Sequence, residues 1–107
     1  MSVAPLAPAE LLRRLAAGEA LVLLDVREPE ELAIARIVGS VAIPLGELAG
    51  RAGELDPEAP TVVVCHHGVR SAHAAAWLAS LGFAQLYNLS GGVERWALEV
   101  DRSMRRY

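Results

Sequence analysis

Thr61-Val62-Val63-Val64-Cys65-His66-His67-Gly68-Val69-Arg70-Ser71 decides how the rest of the chain is read. Four β-forming residues run into the single cysteine, a short polar loop with one glycine follows, and Arg70 to Leu81 reads as helix. A strand that delivers a thiol to the start of a helix is a chemical arrangement, because unpaired N–H groups and the helix dipole favour negative charge there. Taken singly, a cysteine that closes an apolar strand is more often a small buried hydrophobe than a nucleophile. A structural thiol, however, has no need of two histidines, a glycine and an arginine directly behind it. Cys65 is therefore the candidate nucleophile.

The totals set the frame. At 107 residues, 53% hydrophobic and 21% charged, the chain is expected to form one globular domain over residues 1–107, with about 101–107 as a tail. A net charge of −3 gives no reason to expect nucleic acid or an anionic membrane as partner, and all ten basic residues are arginine. One cysteine excludes an intramolecular disulfide framework and fits a reducing compartment. Met1 to Pro8 lacks the basic and apolar regions of a secretory leader, and no apolar run approaches the roughly 18–20 residues that cross a bilayer. The expected location is cytoplasmic.

Read in order, Pro8–Leu15 is a helix with Leu11, Leu12 and Leu15 on one face, ended by Gly18. Ala20–Val26 has the continuous apolar pattern of a strand buried on both faces, with Asp25 as the anomaly near its C-terminal end. Glu28–Ala35 is a short acidic helix opened by Pro29. Gly39–Leu45 is a second strand closed by Pro44, Gly46–Ala52 a helical turn and Asp56–Pro60 a loop. Strand Thr61–Cys65 and its helix follow, with Trp77, Leu78 and Leu81 as core and Gly82 as cap. Ala84–Leu89 is a fourth apolar segment, and Ser90-Gly91-Gly92 turns into a last helix carrying Val93, Trp96 and Ala97. Short apolar strands alternating with helices specify an α/β fold, a mainly parallel central sheet with helices on both faces. Ligands of such sheets sit beyond the C-terminal strand ends, where Asp25–Arg27, Cys65–Ser71 and Ser90–Gly92 all fall.

Loop size bears on the chemistry. His66, His67, Gly68 and Val69 separate Cys65 from Arg70, one residue fewer than in the phosphate-binding loop of tyrosine phosphatases. A shorter cradle suits a single extra sulfur atom better than a tetrahedral phosphoryl group. The run Cys65–Ser71 resembles the Cys-x-x-Gly-x-Arg-Ser loop of single-domain rhodanese-like sulfurtransferases. Leu24–Glu28 resembles that family's Asp-Val-Arg segment, Gly39–Pro44 its Gly-Ala-x-x-Ile-Pro segment, and Leu89–Gly92 with Trp96 its Leu-x-Gly-Gly-x-x-x-Trp signature. The chain departs from the family at Ala35-Arg36-Ile37-Val38, where Gly-His-Ile-Pro is common; that change bears on packing rather than on activity.

The resemblance implies a thiosulfate sulfurtransferase in which Cys65 carries a persulfide, the backbone N–H groups of His66, His67, Gly68, Val69, Arg70 and Ser71 hold it, and no cofactor or metal takes part. Expected partners are a small anionic sulfur donor and a thiol acceptor, with a sulfur-accepting protein as a further candidate. Arg70 either attracts the donor or turns back onto a carboxylate and stiffens the loop. Asp25 and Arg27 are expected to support the loop, the alternative for Arg27 being a surface pair with Glu30 or Glu31. The two loop histidines are expected to add partial positive charge at mildly acid pH. Zinc held by Cys65, His66, His67 and His73 is disfavoured, since consecutive residues rarely converge on one tetrahedral site. Competing functions are a sulfur-carrier or redox-sensing module built on the same cysteine and, less favoured by the short loop, an arsenate reductase or phosphatase.

Overall fold

The computed structural model describes residues 3–107; Met1 and Ser2, which the leader reading and the domain bounds include, lie outside the described residues. Five parallel strands form one sheet in the order β1-β5-β4-β2-β3. They are β1 (Val3–Leu6), β2 (Val22–Asp25), β3 (Val41–Ala42), β4 (Thr61–Val64) and β5 (Leu86–Leu89). The helices are α1 (Pro8–Ala16), α2 (Pro29–Ile34), α3 (Leu48–Arg51), α4 (Val69–Ser80) and α5 (Gly92–Glu99), with a 3₁₀ turn on either side of α3.

The sheet is two-faced because strand side chains alternate. Val63 and Cys65 join Leu24, Ala74, Ala75 and Leu78 in one core under α3 and α4. Val62 and Val64 join Leu23, Leu11, Val93 and Trp96 in a second core under α1 and α5. β4 is central and buried along its whole length, as the valine run requires. Its C-terminal end therefore lies between the two helical layers, and Cys65 follows it there.

Four expectations change. β1 was unforeseen in a stretch holding Pro5; as an edge strand it tolerates a residue with no N–H to give. The second strand shrinks from 39–45 to Val41–Ala42, since it too is an edge and Pro44 cannot extend its ladder. On α4 only Leu78 of the three expected core residues is buried; Trp77 is 36% and Leu81 51% exposed. The small residues Ala74 and Ala75 face the sheet instead and let the helix approach closely. The tail at 101–107, which has no readable period, packs back through Tyr107 onto Arg27 and His66.

Among the described residues no helix is long and apolar enough to cross a membrane.

Candidate active site

Gly68 creates the loop. Its φ of +105° lies in the left-handed region, which other residues resist, and it forms the N-terminal boundary of α4. That conformation turns the Gly68 N–H back onto the Cys65 sulfur at 3.0 Å. The sulfur is also 3.2 Å from the Ser71 hydroxyl in the first turn of α4. Cys65 is only 1% exposed, so the sulfur is enclosed by its own loop and helix. Ser71 in turn donates to Asn88 Oδ1 on β5 at 2.5 Å, and Asn88 Nδ2 donates to the Gly68 carbonyl at 3.0 Å.

The other side of the loop is clamped by α5. Val93 N–H donates to the Cys65 carbonyl at 2.9 Å and Glu94 N–H to the His66 carbonyl at 3.1 Å. These are first-turn donors of α5 with no partner inside their helix. Because the peptide groups are trans, carbonyls aimed at α5 direct the N–H groups of His66 and His67 the opposite way. Gly92 is indispensable to this approach, since a Cβ there would lie 2.3 Å from the His66 carbonyl oxygen and 2.4 Å from that of Cys65. The Gly-Gly turn thus braces the loop.

Asp25 and Arg27 meet each other, and both are fully buried. Arg27 Nε and Nη2 grip the carboxylate at 2.8–3.1 Å, and the Arg27 N–H adds a further bond to Oδ1. The expected alternative, a surface pair of Arg27 with Glu30 or Glu31, is corrected: Arg27 touches only the backbone carbonyl of Glu31, together with that of Ala35 and the Tyr107 hydroxyl. The Asp25 carboxylate is bonded to Arg27, so its support of the cysteine loop is indirect. Arg27 holds α2 by the carbonyls of Glu31 within it and Ala35 at its C-terminal cap, and α2 presents Glu31 to the loop.

There Arg70 turns back. Its Nη1 and Nη2 hold the two oxygens of Glu31 at 2.6 and 2.8 Å. Glu31 also accepts from the Glu28 N–H at 3.0 Å and from the Tyr107 hydroxyl at 2.9 Å. The Arg70 guanidinium is the main reason that the Glu31 carboxyl falls to a pKa of about 2. Of the two readings of Arg70, this geometry is the stiffening one.

His66 departs from expectation. His66 stacks on Tyr107 with ring centroids 3.8 Å apart and on His67 at 3.9 Å. Burial, reinforced by the neighbouring His67, pushes the His66 pKa below its ordinary value, so His66 resists taking up charge in mild acid. His73 is exposed on α4, and among the described residues no three His, Cys, Asp or Glu side chains are placed to hold a metal ion. Sequence reasoning missed Asn88, Glu31 as the partner of Arg70, and Tyr107. Asn88 had a signal, a polar residue inside the apolar segment Leu86-Tyr87-Asn88-Leu89, of the same kind that drew attention to Asp25. Tyr107 had none.

Comparison with known proteins bears on this arrangement. The rhodanese-like domain family model matches residues 7–99. Rhodanese-like/PpiC domain-containing protein 12, chloroplastic, of Arabidopsis thaliana is 42% identical over 89 residues; the match covers 79% of this chain but only 30% of that protein. Thiosulfate sulfurtransferase GlpE of Pseudomonas entomophila is 38% identical over 79 residues, covering 74% of this chain and 72% of the relative. The crystal structure of a rhodanese-related protein from Thermoplasma volcanium shares the fold with a TM-score of 0.82 at 34% identity, over 91% of this chain and 93% of that one. Parallel sheet, cysteine loop and sequence agree over nearly the whole length, and the chain belongs to the rhodanese-like domain family, with thiosulfate sulfurtransferases among its relatives.

Proposed function

We propose that the protein transfers sulfane sulfur through a persulfide on Cys65. The observation that carries this reading is the Cys65 sulfur at the head of α4 with the Gly68 N–H directed onto it at 3.0 Å. The thiolate attacks the outer sulfur of a donor such as thiosulfate, the donor's S–S bond breaks, and sulfite leaves with the bonding pair. Cys65 then carries one added sulfur as an anionic persulfide. A thiol or cyanide attacks that terminal sulfur and departs as a persulfide or thiocyanate, and the Cys65 thiolate returns. This is two-step covalent catalysis with ping-pong kinetics. Loop N–H groups, among them those of His66 and His67 that turn away from α5, serve the persulfide as donors serve an oxyanion. The relatives named thiosulfate sulfurtransferase support the reaction class. The chemistry needs neither metal nor organic cofactor, and the physiological acceptor is a thiol, free or on a protein partner, in a reducing compartment such as the cytoplasm.

The test is an intact mass after incubation with thiosulfate. A single-sulfur adduct that cyanide removes, and that Cys65→Ala never forms, is the expected result. No adduct with thiosulfate or polysulfide, together with hydrolysis of an aryl phosphate, overturns the reading. A second reading, a sulfur carrier without turnover, draws on the near-complete burial of Cys65. It predicts an adduct that forms but is released at negligible rate to cyanide, dithiothreitol and glutathione alike.

A further inference from the structure

Four hydrogen-bonding contacts around the nucleophile close into a ring. Gly68 N–H donates to Cys65 Sγ at 3.0 Å, and the Gly68 carbonyl accepts from Asn88 Nδ2 at 3.0 Å. Asn88 Oδ1 accepts from Ser71 Oγ at 2.5 Å, and Ser71 Oγ returns to Cys65 Sγ at 3.2 Å. The chemistry of the partners fixes the direction of the ring. A peptide carbonyl can only accept, so the amide nitrogen of Asn88 must face Gly68. The amide oxygen, which also can only accept, then faces Ser71. A serine hydroxyl has one proton, and Asn88 holds it.

While that arrangement lasts, Ser71 meets the sulfur with lone pairs alone. It can accept a bond from the Cys65 thiol but has nothing to give a thiolate. When the sulfur becomes an anion, two electron-rich atoms face each other until the hydroxyl swings round and donates to sulfur, leaving the Asn88 oxygen unpaired. Asn88 and the sulfur anion thus compete for the same proton. We infer that Asn88 is a positioning residue that acts through Ser71 to hold the resting nucleophile in its protonated form. Asn88 has no hydrogen bond to the sulfur; its partners are Ser71 and Gly68, and its strand partners across the sheet are Val63 and Pro5. Beyond it lies a cavity lined by the uncharged residues Val3, Pro5, Ala72, Ala76 and Ala79. The charged or titratable groups around the loop come from elsewhere: Arg70 from α4, Glu31 from α2 through its pair with Arg70, His66 and His67 from the loop, Tyr107 stacked on His66, Glu94 from α5 and, at the end of β2, the mutually paired Asp25 and Arg27. The inference holds for any chemistry that begins with a Cys65 thiolate and does not depend on the identity of the sulfur donor.

The experiment follows the rate of Cys65 alkylation by iodoacetamide from pH 5 to pH 10 in the full chain. The rate at pH 7 divided by the high-pH plateau gives the thiolate fraction without reference to enzymatic activity. Asn88→Ala is expected to raise that fraction by roughly threefold or more, because the freed hydroxyl turns to the anion. In a Ser71→Ala background, adding Asn88→Ala is expected to leave the fraction unchanged, since the proton in dispute is gone. A fall in Asn88→Ala, or the same fold-change with and without Ser71, overturns the inference and makes Asn88 a prop for Gly68 alone. Asn88→Asp, nearly isosteric, supplies a check should the alanine variant be unstable. It keeps an acceptor opposite Ser71 but adds a charge that disfavours the thiolate by itself, so the inference requires a larger fall in the thiolate fraction with Ser71 present than in a Ser71→Ala background; an equal fall in both overturns it. A missing sulfur adduct with normal alkylation profiles would count against the proposed reaction and leave this inference standing.

Discussion

Two of the arginines that grip a carboxylate with two nitrogens stand near the cysteine loop, and their pairs differ in almost everything else. Arg27 and Asp25 are two residues apart on the chain, are fully buried, and lie at the end of a central strand. Arg70 and Glu31 come from different helices, with side chains 35% and 19% exposed, at the rim of the cysteine loop. A buried pair is expensive to desolvate and more expensive to break, because the survivor is left charged and unpaired. A pair at the rim is screened by water and contributes little to global stability, yet it can hold a loop in one shape. The first pair orders the scaffold that presents α2; the second, built on α2, restrains the reactive loop.

Breaking each pair separates these roles. Arg27→Met leaves the buried Asp25 carboxylate with only the backbone N–H of residue 27 as a donor, and is expected to cost about 3–5 kcal/mol in urea unfolding. That is a large share of the roughly 5–15 kcal/mol that a domain of this size has to lose. A cost under about 1 kcal/mol would mean that Asp25 finds other donors and that the contrast between the pairs is false.

Arg70→Ala is expected to change global stability by about 1 kcal/mol or less while slowing sulfur-adduct formation about tenfold. Because Arg70 faces Glu31, the loss should be similar for thiosulfate and for polysulfide. A loss confined to thiosulfate would show that Arg70 reaches the donor during the reaction, and would sharpen the comparison in a different direction.

The smallest effect concerns pH. The Glu31 carboxyl is depressed by Arg70 to about 2, below its unfolded value, so its contribution to stability is fully present above the unfolded pKa. It is lost as pH falls through about 2, which puts the change between pH 5 and pH 2. Stability curves of the parent and Glu31→Gln should therefore converge across that window by about 1 kcal/mol or less. Parallel curves would mean that the ion pair is not formed in solution. Glu10, Glu54 and Glu94 are also depressed, and comparing the two curves cancels what they contribute.

Much of this was legible from the chain, for reasons that differ by region. The order strand, cysteine, glycine, helix could be read because each part is local: valines favour a pleated strand, and Gly68 permits a turn that other residues resist. Asp25 stood out as a carboxylate in an apolar run. Its partner was two residues away, where strand geometry places side chains on the same face, so the Arg27 pairing was within reach of the pattern. Glu31 with Arg70, Asn88 with Gly68 and Tyr107 with His66 are separated by 39, 20 and about 40 residues, and nothing local announces them. Trp77 and Leu81 were misjudged because helical periodicity identifies an apolar face without saying how much of it a neighbour covers. On α4 the alanines make the contact and the larger side chains remain outside.

The crowding at Gly92 has a consequence for motion. Because no side chain fits between α5 and the backbone of Cys65 and His66, the loop and the first turn of α5 behave as one rigid piece. The amide protons of Val93 and Glu94 are bonded to the loop carbonyls, so their exchange with solvent requires the loop to let go. Two backbone positions on a neighbouring helix thereby become a clock for the opening of the cysteine loop, readable with no label on the cysteine itself.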